Sequence, residues 1–163
     1  MVAPPGITVE GKPLQLAGVG LRKKLFFKVY LASLYLEELD DDAAKVISAD
    51  RVKRVEMHML RDLDRGKIVE AVREGFSKNA GQSMPALEER LRKFFAAIPD
   101  LKSEQVLAIT YAPGKGTSVE VRGGKGAETV TVEGKDFADA LFSVWLGKHP
   151  VDDDLKEEML RNR

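Results

Sequence analysis

Residues 25–37 read LFFKVYLASLYLE, and this segment decides the fold class. It is rich in aromatic and β-branched residues and contains no Gly or Pro, which is typical of a β-strand. Both alternating faces are largely apolar, so we expect this strand to be covered on two sides and to lie inside its sheet. Lys28 and Tyr30 are polar members of one face, and each needs a partner if it is buried.

The neighbouring strand-like segments are separated by tight turns. Residues 7–10 and 13–16 alternate apolar and polar positions around Gly11-Lys12, which predicts a hairpin. A Gly-rich step, Gly18-Val19-Gly20, predicts a bend before the long strand. Further strands, the last three joined by Gly-rich turns at 113–116 and 123–126, are predicted at 53–60, 105–112, 117–121 and 128–133. Strands connected in this way indicate an antiparallel sheet.

Apolar residues recur at helical spacing in the remaining segments. Helices are predicted at 40–49, 64–80, 85–98, 135–146 and 152–160. The helix at 135–146 carries Phe137, Leu141 and Trp145 on one stripe. Runs of strands with separate helices predict an α+β fold, in which a large antiparallel sheet is covered by a layer of helices. A length of 163 residues predicts one domain spanning 1–163.

The composition excludes several classes of protein. The chain has 26 Lys+Arg and 26 Asp+Glu, so it lacks the excess positive charge of a nucleic-acid-binding protein. It has no Cys, which excludes disulfides, zinc–thiolate sites and thiol nucleophiles. No apolar run approaches the ~18–20 residues of a membrane span. The first residues show no signal-peptide pattern, and the compartment is not predicted.

The usual cofactor and catalytic motifs are not matched. Gly18-x-Gly20 lacks the third glycine of a dinucleotide-binding loop, and no segment matches a phosphate-binding loop. His58 and His149 are far apart and show no metal-ligand spacing. The serines lack the surroundings of a nucleophile elbow. We therefore predict no cofactor, no metal and no catalytic residue.

Arg22 is the remaining candidate for a site residue. It follows the Gly-rich step and precedes the long strand, beside Lys23 and Lys24. It is either a surface charge in this basic run or a guanidinium at the mouth of an apolar pocket, where it would pair with a carboxylate or phenolate. Arginine suits the second role because its planar fork gives bidentate hydrogen bonds and stays charged. Tyr30 would be a second donor.

Two sequence blocks carry a resemblance to a known family. The first is LxGxGxRKK at 16–24, followed by KVYxAxLY at 28–35. The second is EGKDFADALFSVWLGKHPV at 133–151. Together they resemble the chalcone isomerase superfamily, in particular its bacterial chalcone isomerase-like branch, over about residues 9–155. The intact blocks and regular turns would also suit a consensus or reconstructed ancestral member.

The resemblance implies an open-faced β-sandwich, in which helices cover one face of a large antiparallel sheet and leave a ligand cleft between. The family's conserved Arg matches Arg22; it orients the substrate phenolate in isomerases and pairs the carboxylate in fatty-acid binders. Tyr30 stands where isomerases carry Thr, which resembles the fatty-acid binders. Isomerases also carry a Tyr and an Asn on the helix that matches 64–76, and neither is present there. The resemblance therefore favours a binding protein over an enzyme.

Three functions stay open at this stage. The first is non-catalytic binding of a small apolar carboxylate, such as a fatty acid, with Arg22 and Tyr30 at its polar end. The second is a weak or latent chalcone isomerase, which would close chalcone to flavanone by intramolecular oxa-Michael addition. The third is a structural or interaction module in which Arg22 is only a rim charge. The expected partner is an apolar carboxylate or phenolic ligand, and a monomer is expected.

Overall fold

A computed structural model describes residues 3–124 and 129–161. The strands are β1 Gly6–Val9, β2 Lys12–Lys24, β3 Phe27–Leu36, β4 Lys53–Met59, β5 Val106–Ala112, β6 Gly116–Arg122 and β7 Val130–Val132. The α-helices are α1 Ala43–Ser48, α2 Arg65–Ala80, α3 Met84–Ala96, α4 Lys135–Leu146 and α5 Asp153–Met159. Parts of the turn predicted at 123–126 and of the strand predicted at 128–133 lie outside the described residues, as do residues 1 and 2 of the N-terminal stretch.

The seven strands form one sheet in the order β1-β2-β3-β4-β5-β6-β7. Each neighbouring pair is antiparallel. Strand β3 lies between β2 and β4, as its two apolar faces predicted. The predicted α+β architecture, a large antiparallel sheet with helices, is confirmed.

The first hairpin forms where the sequence predicted it, with its turn one residue earlier. Val9 pairs with Lys12, so Glu10 and Gly11 make the two-residue turn. Both residues have positive φ angles, 52° and 76°. A two-residue turn in which both residues have positive φ angles matches the right-handed twist of the two strands that it joins.

The bend predicted at Gly18-Val19-Gly20 is wrong. Strand β2 continues through these residues, with only a register shift between Leu16 and Gly18. The glycines instead allow α5 to approach the backbone of β2 closely, because α5 lies directly on this part of the strand. A Cβ atom at Gly20 would lie 2.6 Å from Leu155 Cδ1 and 2.9 Å from the Leu155 carbonyl oxygen. The absence of a side chain there lets α5 pack on the sheet.

The strand predicted from Leu25 begins two residues later. Leu25 has a φ of 57° and lies with Phe26 in the turn between β2 and β3. The side chains of Leu25, Phe26 and Phe27 are 85%, 99% and 52% exposed. The apolar pattern therefore extends beyond the end of the strand, and it produces an exposed tip rather than core.

The main core lies between one face of the sheet and the helices. Helix α4 is almost wholly buried and contributes Phe137, Leu141 and Trp145. On the opposite face, Tyr35 belongs to a second, smaller apolar cluster and donates a hydrogen bond to the Pro4 carbonyl at 2.9 Å. Strand β3 is thus buried on both faces along most of its length.

Candidate functional site

An apolar hollow of about 100 Å³ lies between the sheet and the helix layer. Its apolar walls come from strands β3 to β5 and helices α2 to α4, and they include Met57, Ile109, Val72, Phe94, Val144 and Trp145. Arg22, Lys24, Lys67 and Tyr30 supply its polar groups. A concave apolar site with a few convergent polar groups is typical of small-molecule binding.

Arg22 lines this hollow from the end of β2. It pairs with Tyr30 across the β2–β3 ladder, so both side chains project from the helix-covered face of the sheet. The Arg22 side chain is only 20% exposed. The structure therefore places both predicted site residues together in the wall of one hollow. Whether they bind a ligand stays a prediction.

The Arg22 guanidinium has few internal partners. Its Nη1 donates to the Lys23 carbonyl at 2.7 Å and lies 3.4 Å from Asp152 Oδ2, which makes a long ion pair. Asp152 Oδ1 accepts from the backbone N–H groups that begin α5. Nε and Nη2 of Arg22 form no hydrogen bond with the described residues. Two donor groups therefore remain for a ligand anion.

Tyr30 is buried beside Trp145. Its hydroxyl oxygen accepts a hydrogen bond from Trp145 Nε1 at 3.1 Å. Burial raises the pKa of Tyr30, so the phenol stays neutral at physiological pH. The hydroxyl proton is still available for donation, because the bond to Trp145 uses only an oxygen lone pair. The apolar stripe of α4 predicts that Trp145 is buried but does not predict this contact, although a buried indole N–H usually requires a partner.

The hollow opens toward two neighbouring depressions. One is a polar recess of about 200 Å³, which shares Arg22, Lys24 and Lys67 with the hollow and adds Glu70 and Glu74. The other is a groove of about 400 Å³ beneath the β2–β3 turn, which we call the hairpin groove. It is lined by Lys24, Leu25, Phe27, Val29, Arg61, Asp62, Leu63, Asp64 and Lys67. The sequence does not predict that Lys24 and Lys67 line a site, because exposed lysines at the rim of a pocket show no distinguishing pattern.

The side of α2 that faces the hollow offers little polar chemistry. It carries Lys67, Ile68, Ala71 and Val72. Asn79 also lies on α2, but its amide bonds the backbone of Gly75 and His149 and does not line the hollow. The hollow therefore lacks a Tyr or Asn from this helix.

Neither histidine belongs to the hollow. Nε2 of His58 lies 3.3 Å from Glu104 Oε2, and His149 borders the polar recess. Across residues 3–124 and 129–161, no three His, Cys, Asp or Glu side chains are grouped so that they could hold a metal ion. In the same ranges, no helix has the length and apolarity that crossing a membrane requires.

The sequence matches a family model described as chalcone isomerase-like over residues 2–161. The chain belongs to the chalcone isomerase-like family. Its fold is similar to the crystal structure of a fatty-acid binding protein from Arabidopsis thaliana, with a TM-score of 0.69 over 95% of each chain and 18% identity. No curated protein matches. The structural likeness confirms the chalcone isomerase-type fold predicted from the two sequence blocks.

Proposed function

We propose that this chalcone isomerase-like protein binds a small apolar carboxylate, such as a fatty acid, and performs no chemistry on it. The observation that carries the proposal is Arg22, a half-buried cation in the wall of an apolar hollow with two unbonded donor groups. The Arabidopsis protein of similar fold is described as fatty-acid binding, which supports this class of ligand.

The polar end of the ligand would lie between Arg22 and Tyr30. The guanidinium can hold a carboxylate by two parallel hydrogen bonds, and the Tyr30 hydroxyl can donate a third. Asp152 Oδ2 lies 3.4 Å from Nη1 of Arg22. A ligand carboxylate would compete with Asp152 for the guanidinium. An ion pair of this length contributes little to stability, so the competition should cost little.

The size of the hollow favours a short or medium acyl chain. A volume of about 100 Å³ is below that of an apolar cavity of about 150 Å³ that accepts benzene. The hollow can thus enclose a few carbon atoms, and the rest of a chain would extend into the hairpin groove, which shares Val29 and Leu63 with it. We expect octanoic and lauric acid to bind more tightly than palmitic acid.

The polar groups of the hollow are too few for chalcone cyclisation. That reaction must hold a phenolate in an attacking pose and support the charge that develops at the enone oxygen. Loss of one positioned donor can reduce such a rate by ~10²–10³. Arg22 and Tyr30 could hold one anionic group, but α2 adds only Lys67 and apolar residues to the hollow.

Calorimetric titration with octanoic, lauric and palmitic acid tests the proposal. We expect Arg22→Ala to weaken binding by about 1.5–3 kcal/mol, because a charge-assisted hydrogen bond is lost. Asp152→Asn should strengthen binding, because it removes the competing charge while its side-chain oxygen still caps α5. Arg51→Ala is the matched control, since Arg51 forms an exposed ion pair with Glu38 and lines neither the hollow nor the hairpin groove.

Three results would overturn the proposal. The first is the absence of binding for all three acids, and the second is equal affinity in the wild type and Arg22→Ala. The third is a loss of chalcone absorbance that is faster than the spontaneous reaction and that Arg22→Ala abolishes, which would identify an isomerase instead.

A further inference from the structure

The turn between β2 and β3 and the first residue of β3 present three consecutive apolar side chains to solvent. Leu25, Phe26 and Phe27, which we call the hairpin tip, are 85%, 99% and 52% exposed. Among the described residues, the other exposed large apolar side chains are Val19 and Leu39, which lie apart from one another. Isolated exposed residues need no explanation, but a contiguous exposed group that includes two Phe rings indicates an interaction surface.

Basic residues surround the hairpin tip. Lys23, Lys24, Lys28, Arg61 and Lys67 are all exposed. Lys23, Lys24 and Lys28 flank the tip in sequence, and Lys24, Arg61 and Lys67 line the hairpin groove. The Arg61 guanidinium carbon lies 4.2 Å from the centre of the Phe27 ring. In a chain with no formal net charge, this is a local concentration of cations around exposed aromatic groups.

Two acidic residues share the groove and only partly offset these cations. The carboxylate of Asp62 accepts a hydrogen bond from the Ser103 N–H at 2.8 Å and lies 3.8 Å from Lys102 Nζ. Asp64 stands at the N-cap of α2, where the helix dipole favours a negative charge. The surface around the tip therefore remains basic.

We propose that the hairpin tip docks this protein onto the surface of an anionic lipid bilayer. Leu25 and Phe26 enter the boundary between headgroups and acyl chains, and the surrounding lysines and Arg61 contact lipid phosphates. Apolar insertion together with basic contacts is the combination that gives reversible binding to anionic membranes. A protein partner would have to match the basic residues with acidic groups, whereas an anionic bilayer supplies both negative charge and an apolar layer for Leu25 and Phe26.

The position of the tip gives this docking a consequence for the hollow. The hairpin groove lies directly beneath the tip and shares Lys24, Val29, Leu63 and Lys67 with the hollow. A docked molecule would turn this opening toward the bilayer, so an apolar carboxylate could pass between membrane and hollow without crossing water. This last step rests on the proposed function, whereas the docking itself does not.

Co-sedimentation with lipid vesicles tests the docking. We expect the protein to bind vesicles of phosphatidylcholine mixed with phosphatidylglycerol, to bind pure phosphatidylcholine weakly, and to be released by salt. Phe26→Ser should reduce the partition coefficient about tenfold or more, because a Phe ring would no longer transfer from water into the bilayer. Lys28→Glu should reduce it about fivefold or more. Leu39→Ser and Lys12→Glu change exposed residues near the far ends of β3 and β2 and should have no effect.

Three outcomes would overturn the docking proposal. The first is no binding of the wild type to the anionic vesicles, and the second is equal binding by Phe26→Ser and Leu39→Ser. The third is a wild-type protein that does not bind vesicles but forms a dimer in analytical ultracentrifugation, which Phe26→Ser dissociates. The last result would make the tip an interface between copies of this chain. Phe26→Ser should still bind octanoic acid in solution, so failure of docking and failure of ligand binding are distinguishable.

Discussion

Lys53 is a buried cation whose role is structural. Its side chain lies at 2% exposure on β4, and Nζ donates to the carbonyls of Val46, Ile47 and Ala49 at 2.7–2.9 Å. These carbonyls lie at the end of α1, where helical partners are missing. Burial lowers the pKa of Lys53 to about 8, with a further contribution from the positive charge of Lys135.

This pKa predicts that stability increases with pH in the alkaline range. Between pH 8 and the unfolded-state value of about 10.4, the folded chain has lost the Lys53 proton and the unfolded chain keeps it. The unfolded state then binds more protons, so the free energy of unfolding should rise by about 2 kcal/mol from pH 8 to pH 10. Above pH 10 the trend should reverse, because burial raises the pKa values of Tyr35 and Tyr111 to about 12.

Urea denaturation between pH 7.5 and pH 11, followed by circular dichroism, measures this dependence. Lys53→Met should be less stable at every pH, because three carbonyls lose their donor, and should lack the rise. A rise of equal size in Lys53→Met would contradict the assignment to Lys53.

Arg22 and Tyr30 were identified from sequence because their spacing to Gly18 and Gly20 resembles the family motif. Both line the same wall of the hollow because the register of β2 and β3 places them opposite each other. Trp145 was missed as the partner of Tyr30 because it lies 115 residues away, and an apolar helical stripe predicts burial without naming a contact.

The contact between β2 and α5 depends on two glycines. A Cβ atom at Gly18 would lie 2.6 Å from the Met159 carbonyl oxygen, and one at Gly20 would overlap Leu155. The sequence prediction of a bend failed here because glycine has two uses, a free backbone and a close approach, and a single sequence does not distinguish them.

Gly18→Ala should therefore displace α5 and destabilise the protein by about 1–3 kcal/mol, the usual cost of overpacking. Urea denaturation at pH 7 measures the effect. Gly66→Ala is the matched control, because Gly66 lies in α2 with open space around a Cβ atom and alanine favours a helix. If Gly18→Ala were as stable as Gly66→Ala, the close packing of α5 on β2 would be wrong.

The hairpin tip illustrates the limit of periodicity at the scale of an element. Leu25 and Phe26 continue the apolar alternation of β3, so the pattern predicted a longer strand. The positive φ angle of Leu25 ends that alternation in a tight turn. The residue types did not predict a turn here, because neither Leu25 nor Phe26 is Gly, Asn, Asp or Pro.

At the scale of the whole molecule, the main core connects nearly every element. Its buried apolar residues come from β2 to β7 and from all five helices, whereas β1 belongs to the second cluster. We therefore predict that residues 1–163 unfold as one cooperative domain. Scanning calorimetry should give equal calorimetric and van 't Hoff enthalpies. Two separate endotherms would contradict the single domain.

The order of the sheet and, from the resemblance, a cleft between the sheet and the helices were predicted, but the apolar side chains that line the hollow were not. Tight turns between successive strands indicate a meander, and the two family blocks indicate the layer of helices. Met57, Ile109 and Phe94 are apolar whether they fill a core or line a space. The hollow remains open because of the way in which α2 and α3 pack over β4 and β5. That packing depends on contacts between residues far apart in sequence.

Trp145 is the single tryptophan of the chain, and it stands in the wall of the hollow. All indole fluorescence of the protein therefore originates at the place where a ligand would arrive. An acyl chain that replaced solvent there, or a carboxylate that drew the Tyr30 hydroxyl away from the ring nitrogen, would alter the emission maximum or its lifetime. The intrinsic fluorescence of Trp145 can therefore report ligand binding and release without an attached dye.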